Sequence, residues 1–505
     1  MSSTRLLALC ALLLTSFVGV AADDEIVKEF KKYFRKYKDT PTRVEAILAL
    51  EGTEGPGVVD VLIPILKDPD AEVVEACMRI LGGFESEASS ARLFEKLEKE
   101  KKEIVRIGLL RAIAKGGYSG GDEVLQECLE DRAWTVRWRT IQVLGASGDQ
   151  AHAAAILPYC ADDEPGVRGA ALEALADLRS PLVHDAAHTA LIDDSWQVRS
   201  TAIDALGRVR KTASVDWLVE RMAQEEGRLL EDIGHALENL TGRSFGTRTE
   251  LWVRFRQNAD DYEIPSDEQI AKLRAARAKR EKEYTPNGVT YHGIDTPSRS
   301  ILFVIDVSGS MENEVIERER FEDGDFPSFQ RIDIVKTELA RTIEGLESYV
   351  KFNILAFASK VDPWKKELVT ANVLNKSSAM SWTNRLEPLG GESKMALGNV
   401  GLVGTADLSA GKTNTHGALA WALGIEGEGK RRGDYEIDVD TIFFLSDGRP
   451  TTGAFIDPQD ILREINEANA LRKVVIHTIA LGEFQKNFMR LLAEDNGGVF
   501  VDLGR

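Results

Sequence analysis

Cysteine is scarce in this chain, with four in 505 residues, which excludes a disulfide-dense scaffold. Proline and glycine, at 15 and 42, are too few and too irregular for a collagen-like chain. Cationic charge is also in deficit. Lys+Arg number 63 against 82 Asp+Glu, a net charge of −19. A general nucleic-acid binder needs a cationic face for phosphate, so no nucleic-acid partner is expected. Past the N-terminus, no stretch reaches the roughly 20 apolar residues of a spanning helix, so no integral membrane segment is expected. What is present is ordinary globular material, 43% hydrophobic and 29% charged, enough for a sizeable core. The length alone suggests roughly three domains.

Residues 1–22 have the layout of a secretory signal: Arg5, the apolar run Leu6 to Leu14, then Val20-Ala21-Ala22 ahead of Asp23. The run is short for a membrane anchor. Leu9 ahead of Cys10 does not suit a lipoprotein signal. A secreted, periplasmic or cell-surface location is expected. Removal of Arg5 takes the charge from −19 to −20 and leaves Cys77, Cys128 and Cys160, read as small buried hydrophobes.

Val-Arg recurs at Val105, Val136, Val167 and Val198, 31 residues apart each time. Val73-Val74 and Thr42-Arg43 continue the series backwards and Leu229-Leu230 forwards. An acidic residue stands five positions before each valine: Asp68, Glu100, Asp131, Asp162 and Asp193. A helical stripe follows, as in Val167, Ala170, Ala171, Ala174 and Leu175. A fixed period with helical patterning marks a solenoid of helix pairs. Asp-x4-Val-Arg-x2-Ala-x3-Leu-Gly, seen from Asp193 to Gly207, resembles HEAT repeats over about residues 26–262. The recurring Arg and acidic residue are expected to pair between neighbouring units and cap helix ends. Trp134, Trp138, Trp196 and Trp217 read as core or groove lining.

His184 and His188 have the i, i+4 spacing of a zinc helix. However, Asp185 follows where the motif has Glu, and no third ligand is near, so they read as surface histidines. Leu237 to Trp252 breaks the period and reads as a terminal cap. Residues 263–298 read as a linker: a charged, solvated helix from Glu268 to Tyr284, then a loop punctuated by Pro286, Gly288, Gly293 and Pro297.

From Ser300 the pattern changes. Ile301 to Ile305 is a continuous apolar run, as in a buried parallel strand. Helix Ile332–Leu346, strand Phe352–Phe357, helix Gly417–Leu423, strand Thr441–Leu445, helix Pro458–Leu471, strand Val474–Leu481, helix Phe488–Glu494 and strand Val499–Val501 follow. This alternation predicts a doubly wound, Rossmann-like α/β domain. Ligands of such sheets bind at the carboxyl ends of the strands. Asp306, Ser308 and Ser310 leave the first strand there, Asp447 follows the strand Thr441–Leu445, and Thr413 lies in a loop. These hard oxygen donors suit Mg2+, with Mn2+ and Ca2+ as alternatives.

Asp306-Val307-Ser308-Gly309-Ser310 with Thr413 and Asp447 resembles the metal-ion-dependent adhesion site of the von Willebrand factor type A domain, over about residues 298–505. The resemblance implies that Ser308, Ser310 and Thr413 bind the metal directly, and Asp306 and Asp447 mainly through water. It implies a partner protein whose acidic side chain completes the metal shell. The connection Glu312–Gln330 is acidic and longer than a compact domain needs, and reads as a gate, a selector of partners or simply a mobile loop.

A relaxed P-loop match, Ala406 to Thr413 with Lys412 on phosphates and Asp447 behind Thr413, offers a nucleotide triphosphatase as a competitor. It lacks a convincing strand before Ala406 and leaves Ser308 and Ser310 unexplained. His416 is read as a helix-start residue or an outer neighbour of the site. The expected organisation is a signal peptide at 1–22, a HEAT-like solenoid at 23–262, a linker at 263–298 and a type A domain at 299–505. The expected function is non-catalytic, adhesion-type protein binding through the metal, with the solenoid as a second interaction surface. An assembly scaffold with a merely structural metal is the other binding reading.

Overall fold

The computed structural model describes residues 21–258, 262–281, 294, 296–316, 318–390, 411–425, 437–482 and 486–503. Residues 1–20 of the expected signal, Pro286, Gly288, Gly293, and the stretch 391–410, including the start of the P-loop-like run, lie outside the described residues. The chain forms two compact units, Met1–Val209 and Arg210–Arg505.

The first unit is helical, from Ala21–Lys36 to Trp196–Arg208. The 31-residue period becomes a stack of helix pairs whose second helices include Glu103–Gly116, Trp134–Ala146, Pro165–Asp177 and Trp196–Arg208. The repeating valines, Val73, Val105, Val136, Val167 and Val198, are each at most 2% exposed. Eight residues on, Leu81, Ile113, Leu144, Leu175 and Leu206 are buried on the same helix face. Each such burial is worth about 2 kcal/mol. Gly145 lets neighbouring helices approach: a Cβ there would stand 2.8 Å from that of Ala174.

The turns are held by a ladder of ion pairs. Arg137 donates to both carboxylate oxygens of Asp162, at 2.8 and 2.7 Å, and Arg168 does the same to Asp193 at 2.7 Å each. Arg43 with Asp68 and Arg106 with Asp131 repeat the arrangement. Each arginine thus reaches the acidic turn of the next unit. Arg137 and Arg168 also donate back to the carbonyls of Asp131 and Asp162 in their own turns, each at 2.9 Å. The aspartates in turn accept the N–H two residues on, as Asp162 does from Glu164 at 2.9 Å. Where Val74 replaces Arg, Glu100 instead accepts the N–H groups of Lys101 and Lys102. The two histidines differ from expectation: His188 is exposed, but His184 is buried because its position faces the stack.

The second unit begins with helices α1 (Thr212–Met222), α2 (Arg228–Thr241), α3 (Thr249–Gln257) and α4 (Asp267–Glu281). An aromatic cluster closes α3: Trp252 is fully buried, meets Phe245 edge-on at 4.7 Å and donates to the Gly246 carbonyl at 2.9 Å. In the charged helix α4 the side chains from Asp267 to Ala275 are exposed, as expected, except for the buried Ile270.

The sheet follows. Its strands are β1 (Ser300–Asp306), β2 (Lys351–Phe357), β3 (Val361–Pro363), β4 (Val369–Thr370), β5 (Thr441–Ser446), β6 (Val475–Ala480) and β7 (Phe500–Asp502). Their order is β3-β2-β1-β5-β6-β7, with β4 also on β2. The pairs β1–β2, β1–β5, β5–β6 and β6–β7 are parallel, and the short β3 and β4 are antiparallel to β2. Helices α5 (Arg331–Gly345), α6 (Val373–Asn384), α7 (Thr415–Ala422), α8 (Pro458–Arg472) and α9 (Lys486–Asp495) complete the doubly wound α/β fold.

The uniform hydrophobicity of β1 follows from burial on both faces. Ile301, Phe303 and Ile305 share a core with Val335, Leu339 and Ile343 of α5. Leu302 and Val304 share the other with Leu419 of α7, Ile461 of α8 and Leu492 of α9.

Helix α2 meets the end of the sheet where the strands begin. Arg228 donates to the carbonyl of Lys473, two residues before β6, and Arg299 pairs with Glu226. Ser298 donates to Asp440 just ahead of β5. Burial raises the carboxyl groups of both Asp440 and Glu231 above the usual range.

Candidate metal centre

The other end of the sheet carries the oxygen cluster. The chain crosses from β1 to β2 on one side and to β5 on the other, so β1 and β5 flank the topological switch point. Asp306 ends β1 and Asp447 directly follows β5. Both are buried, as are Ser308 and Thr413.

The geometry fixes each group. Asp306 Oδ1 accepts from the Ser308 N–H at 2.8 Å, and Oδ2 from the Ser446 hydroxyl at 2.6 Å. The Ser308 and Ser310 hydroxyls lie 3.3 Å apart, and Ser310 donates to Asp447 Oδ1 at 2.8 Å. Thr413 is placed by a two-way clasp with Thr451. Its N–H donates to the Thr451 hydroxyl and its carbonyl accepts the Thr451 N–H, both at 2.9 Å. Asn414 then caps α7 by accepting the Gly417 N–H at 2.8 Å.

Gly448 locates the middle of this set. A Cβ on it would stand 3.3 Å from Thr413 Oγ1, 3.5 Å from Ser310 Oγ and 3.8 Å from Asp306 Oδ2. The structure therefore brings all five sequence-selected residues together: four gather about Gly448, and Ser308 joins through Ser310. Three hydroxyls and two carboxylates are the hard donors a small divalent cation takes, so the residues present fit one. Among the described residues, no group of three or more His, Cys, Asp or Glu side chains gathers elsewhere or here. The cluster relies on hydroxyls instead.

Burial, and then the charge of nearby Asp447, push the Asp306 carboxyl up to about 7 against an ordinary 3.8. Two buried carboxylates this close call for a cation, and the sequence reading missed the one present. Arg331, the first residue of α5, pairs with Asp447 Oδ2, with side chains 11% and 0% exposed respectively. A basic residue in a helix's first turn opposes the helix dipole, which marks Arg331 as unusual but does not point to its partner. Ser446, which supports Asp306, had no signal beyond its place at the strand end.

The connection 312–330 is folded back beside the cluster. The Val315 N–H donates to the Phe329 carbonyl and the Arg331 N–H to that of Asn313, each at 2.9 Å. Val315, Phe321 and Ile334 form a small core there. His416 turns away to Glu464, at 2.6 Å, and meets Phe455 edge-on. In the P-loop-like run, the Lys412 N–H donates to the Ser359 hydroxyl at 3.1 Å.

The model of the von Willebrand factor type A domain matches residues 324–397 and 401–502, the region of this mostly parallel sheet. The model for HEAT repeats matches residues 27–114 and 121–186. The chain therefore carries matches to two families in succession, HEAT repeats and then a von Willebrand factor type A domain. It is similar to inter-alpha-trypsin inhibitor heavy chain H4 of Homo sapiens, 25% identical over 41% of this chain and 18% of that protein. It is also similar to inter-alpha-trypsin inhibitor heavy chain H1 of Mesocricetus auratus, 26% identical over 40% of this chain and 18% of that one. The chain thus spans about a fifth of these relatives' length. Among solved structures it is similar to a von Willebrand factor type A protein from Catenulispora acidiphila. That likeness has 15% identity and a TM-score of 0.27, over 41% of this chain and 39% of the other.

Proposed function

We propose that this chain is a non-catalytic, adhesion-type protein of the secreted, periplasmic or cell-surface space that binds a partner protein through a divalent cation. Asp306, Ser308, Ser310, Thr413 and Asp447 would hold the ion, Mg2+ in the first instance and Mn2+ or Ca2+ as alternatives. The observation that carries this reading is the convergence of Thr413, Ser310 and Asp306 oxygens about Gly448 at the switch point. With three neutral hydroxyls in direct contact and both carboxylates acting mainly through water, the cation would be poorly neutralised at close range and would attract an acidic side chain of the partner. No described helix is long and apolar enough to cross a membrane. The HEAT repeats, running to residue 262 ahead of a linker at 263–298, would offer a second interaction surface.

Calorimetric titration with Mg2+, Mn2+ and Ca2+ tests the site. Binding by the wild type that Asp306→Ala and Thr413→Val abolish, and Lys412→Ala leaves intact, supports it over the nucleotide-binding alternative. Partner capture on the immobilised protein should fall with EDTA and return with Mg2+. Capture indifferent to both EDTA and Asp306→Ala refutes the metal-mediated mechanism.

A further inference from the structure

We infer that Arg331 is a tethered counter-ion that competes with the metal for Asp447, so that this chain's own arginine sets the affinity of its cation site. The inference rests on the metal reading of the same cluster. Three observations carry it.

The first is the pairing. The Arg331 guanidinium donates to Asp447 Oδ2 while Ser310 donates to Oδ1, so both oxygens of a fully buried carboxylate are engaged. The second is the tether. Arg331 begins α5, and its N–H is fixed to the Asn313 carbonyl, three residues past Ser310. The guanidinium is thereby held beside the cluster rather than swung in from solvent. The third is the room made for it. A Cβ on Gly482 would stand 3.6 Å from Arg331 Cζ and 2.8 Å from the Asp447 carbonyl. A larger residue at that position would crowd both.

Electrostatics makes the pairing a competition. A guanidinium and a divalent cation drawing on one buried carboxylate repel each other, and poor screening in the interior enlarges that repulsion. A metal that draws on Asp447 therefore weakens Arg331's hold on it, and Arg331 weakens the metal's. In the metal-free protein Arg331 offsets the charge that Asp306 and Asp447 would otherwise bring into the interior uncompensated.

The test compares wild-type full-length chain with Arg331→Gln and Arg331→Lys. Mg2+ and Mn2+ affinities are measured by calorimetry, and melting temperatures with and without metal. Arg331→Gln is expected to bind both ions about tenfold or more tightly than wild type. Its metal-free melting temperature should fall, and metal should restore most of the loss. Arg331→Lys keeps the charge and should stay near the wild-type affinity. Equal or weaker metal binding by Arg331→Gln, whether or not its stability falls, overturns the competition and leaves Arg331 as structural support alone. If neither wild type nor Arg331→Gln binds either ion, the metal reading itself fails and the competition fails with it.

Discussion

Arg137 holds Asp162, 25 residues further along the chain, through two parallel hydrogen bonds of 2.8 and 2.7 Å. The Asp162 side chain is 7% exposed. A forked, nearly buried pair of this kind differs in kind from a surface ion pair. Removing either partner should cost about 2–4 kcal/mol, because the other charge is left buried. A double-mutant cycle with Arg137→Met and Asp162→Ala should give a coupling above about 1 kcal/mol. The exposed pair Arg208–Asp177, treated the same way, should give less than about 0.5 kcal/mol. Chemical denaturation of the four proteins in each cycle checks both values.

Gly448→Ala isolates the cation cradle from the fold. The new methyl group would come within 3.3 Å of Thr413 Oγ1 and 3.5 Å of Ser310 Oγ. The strands on either side are untouched, so stability should change by less than about 1 kcal/mol. Metal affinity should fall about tenfold or more, since hard-ion coordination tolerates little displacement of its oxygens. Titration calorimetry set beside thermal melting separates the two effects. Normal affinity in Gly448→Ala would mean the ion sits elsewhere.

His477 makes the fold sensitive to acid. It lies in β6, stacked on Phe443 at 4.9 Å, and its Nδ1 accepts the Val499 N–H at 3.0 Å. Burial, and then the charge of Arg228, lower its pKa from 6.5 to about 4. The unfolded chain therefore takes up this proton first on acidification. The stability that neutral His477 contributes is fully present above pH 6.5 and is lost as pH falls to about 4. The loss from this residue amounts to about 3 kcal/mol across that window. His477→Gln should be less stable at neutral pH but should show a shallower decline between those values. Denaturation at a series of pH values tests this, and an unchanged slope contradicts it.

The contacts of α2 with the starts of the strands have their own consequence. A fragment of residues 210–505 keeps the pairing of Arg228 with the Lys473 carbonyl and of Arg299 with Glu226. A fragment of residues 263–505 loses both and uncovers Asp440. The longer fragment should melt higher by about 5 °C or more, the change that a kcal/mol or two produces in a domain of this size. Equal melting temperatures would show that α1 to α3 contribute nothing to the sheet's stability.

Legibility in the sequence followed how much of each feature is written as a period or a spacing. The stripe Val167, Ala170, Ala171, Ala174 and Leu175 repeats because every second helix faces the same kind of neighbour, so it could be read unit by unit. Asp306, Ser308 and Ser310 were legible because a single turn after a buried strand presents all three. Asp447 was legible from its place just past a buried strand, and Thr413 more weakly as a hydroxyl in a nearby loop, with the resemblance assigning their roles. Arg331 was not legible: its partner lies 116 residues away, and only the tertiary fold brings the two together. The edge strands β3 and β4 are three and two residues long, too short for an alternation to register. His184 was misread because polarity was taken for exposure, whereas its place in the stack decided its burial.

The ladder also makes the array editable. Arg137 and Arg168 each stand six positions after the aspartate of their own turn and 25 before that of the next. Excising residues 132–162 would set Arg168 where Arg137 stood, six residues after Asp131, with its own link to Asp193 untouched. Arg106 would still find Asp131. Whole 31-residue modules can thus be dropped or duplicated during evolution with no charge stranded at the seam, and the arm that precedes the α/β unit can change length while its joints stay the same.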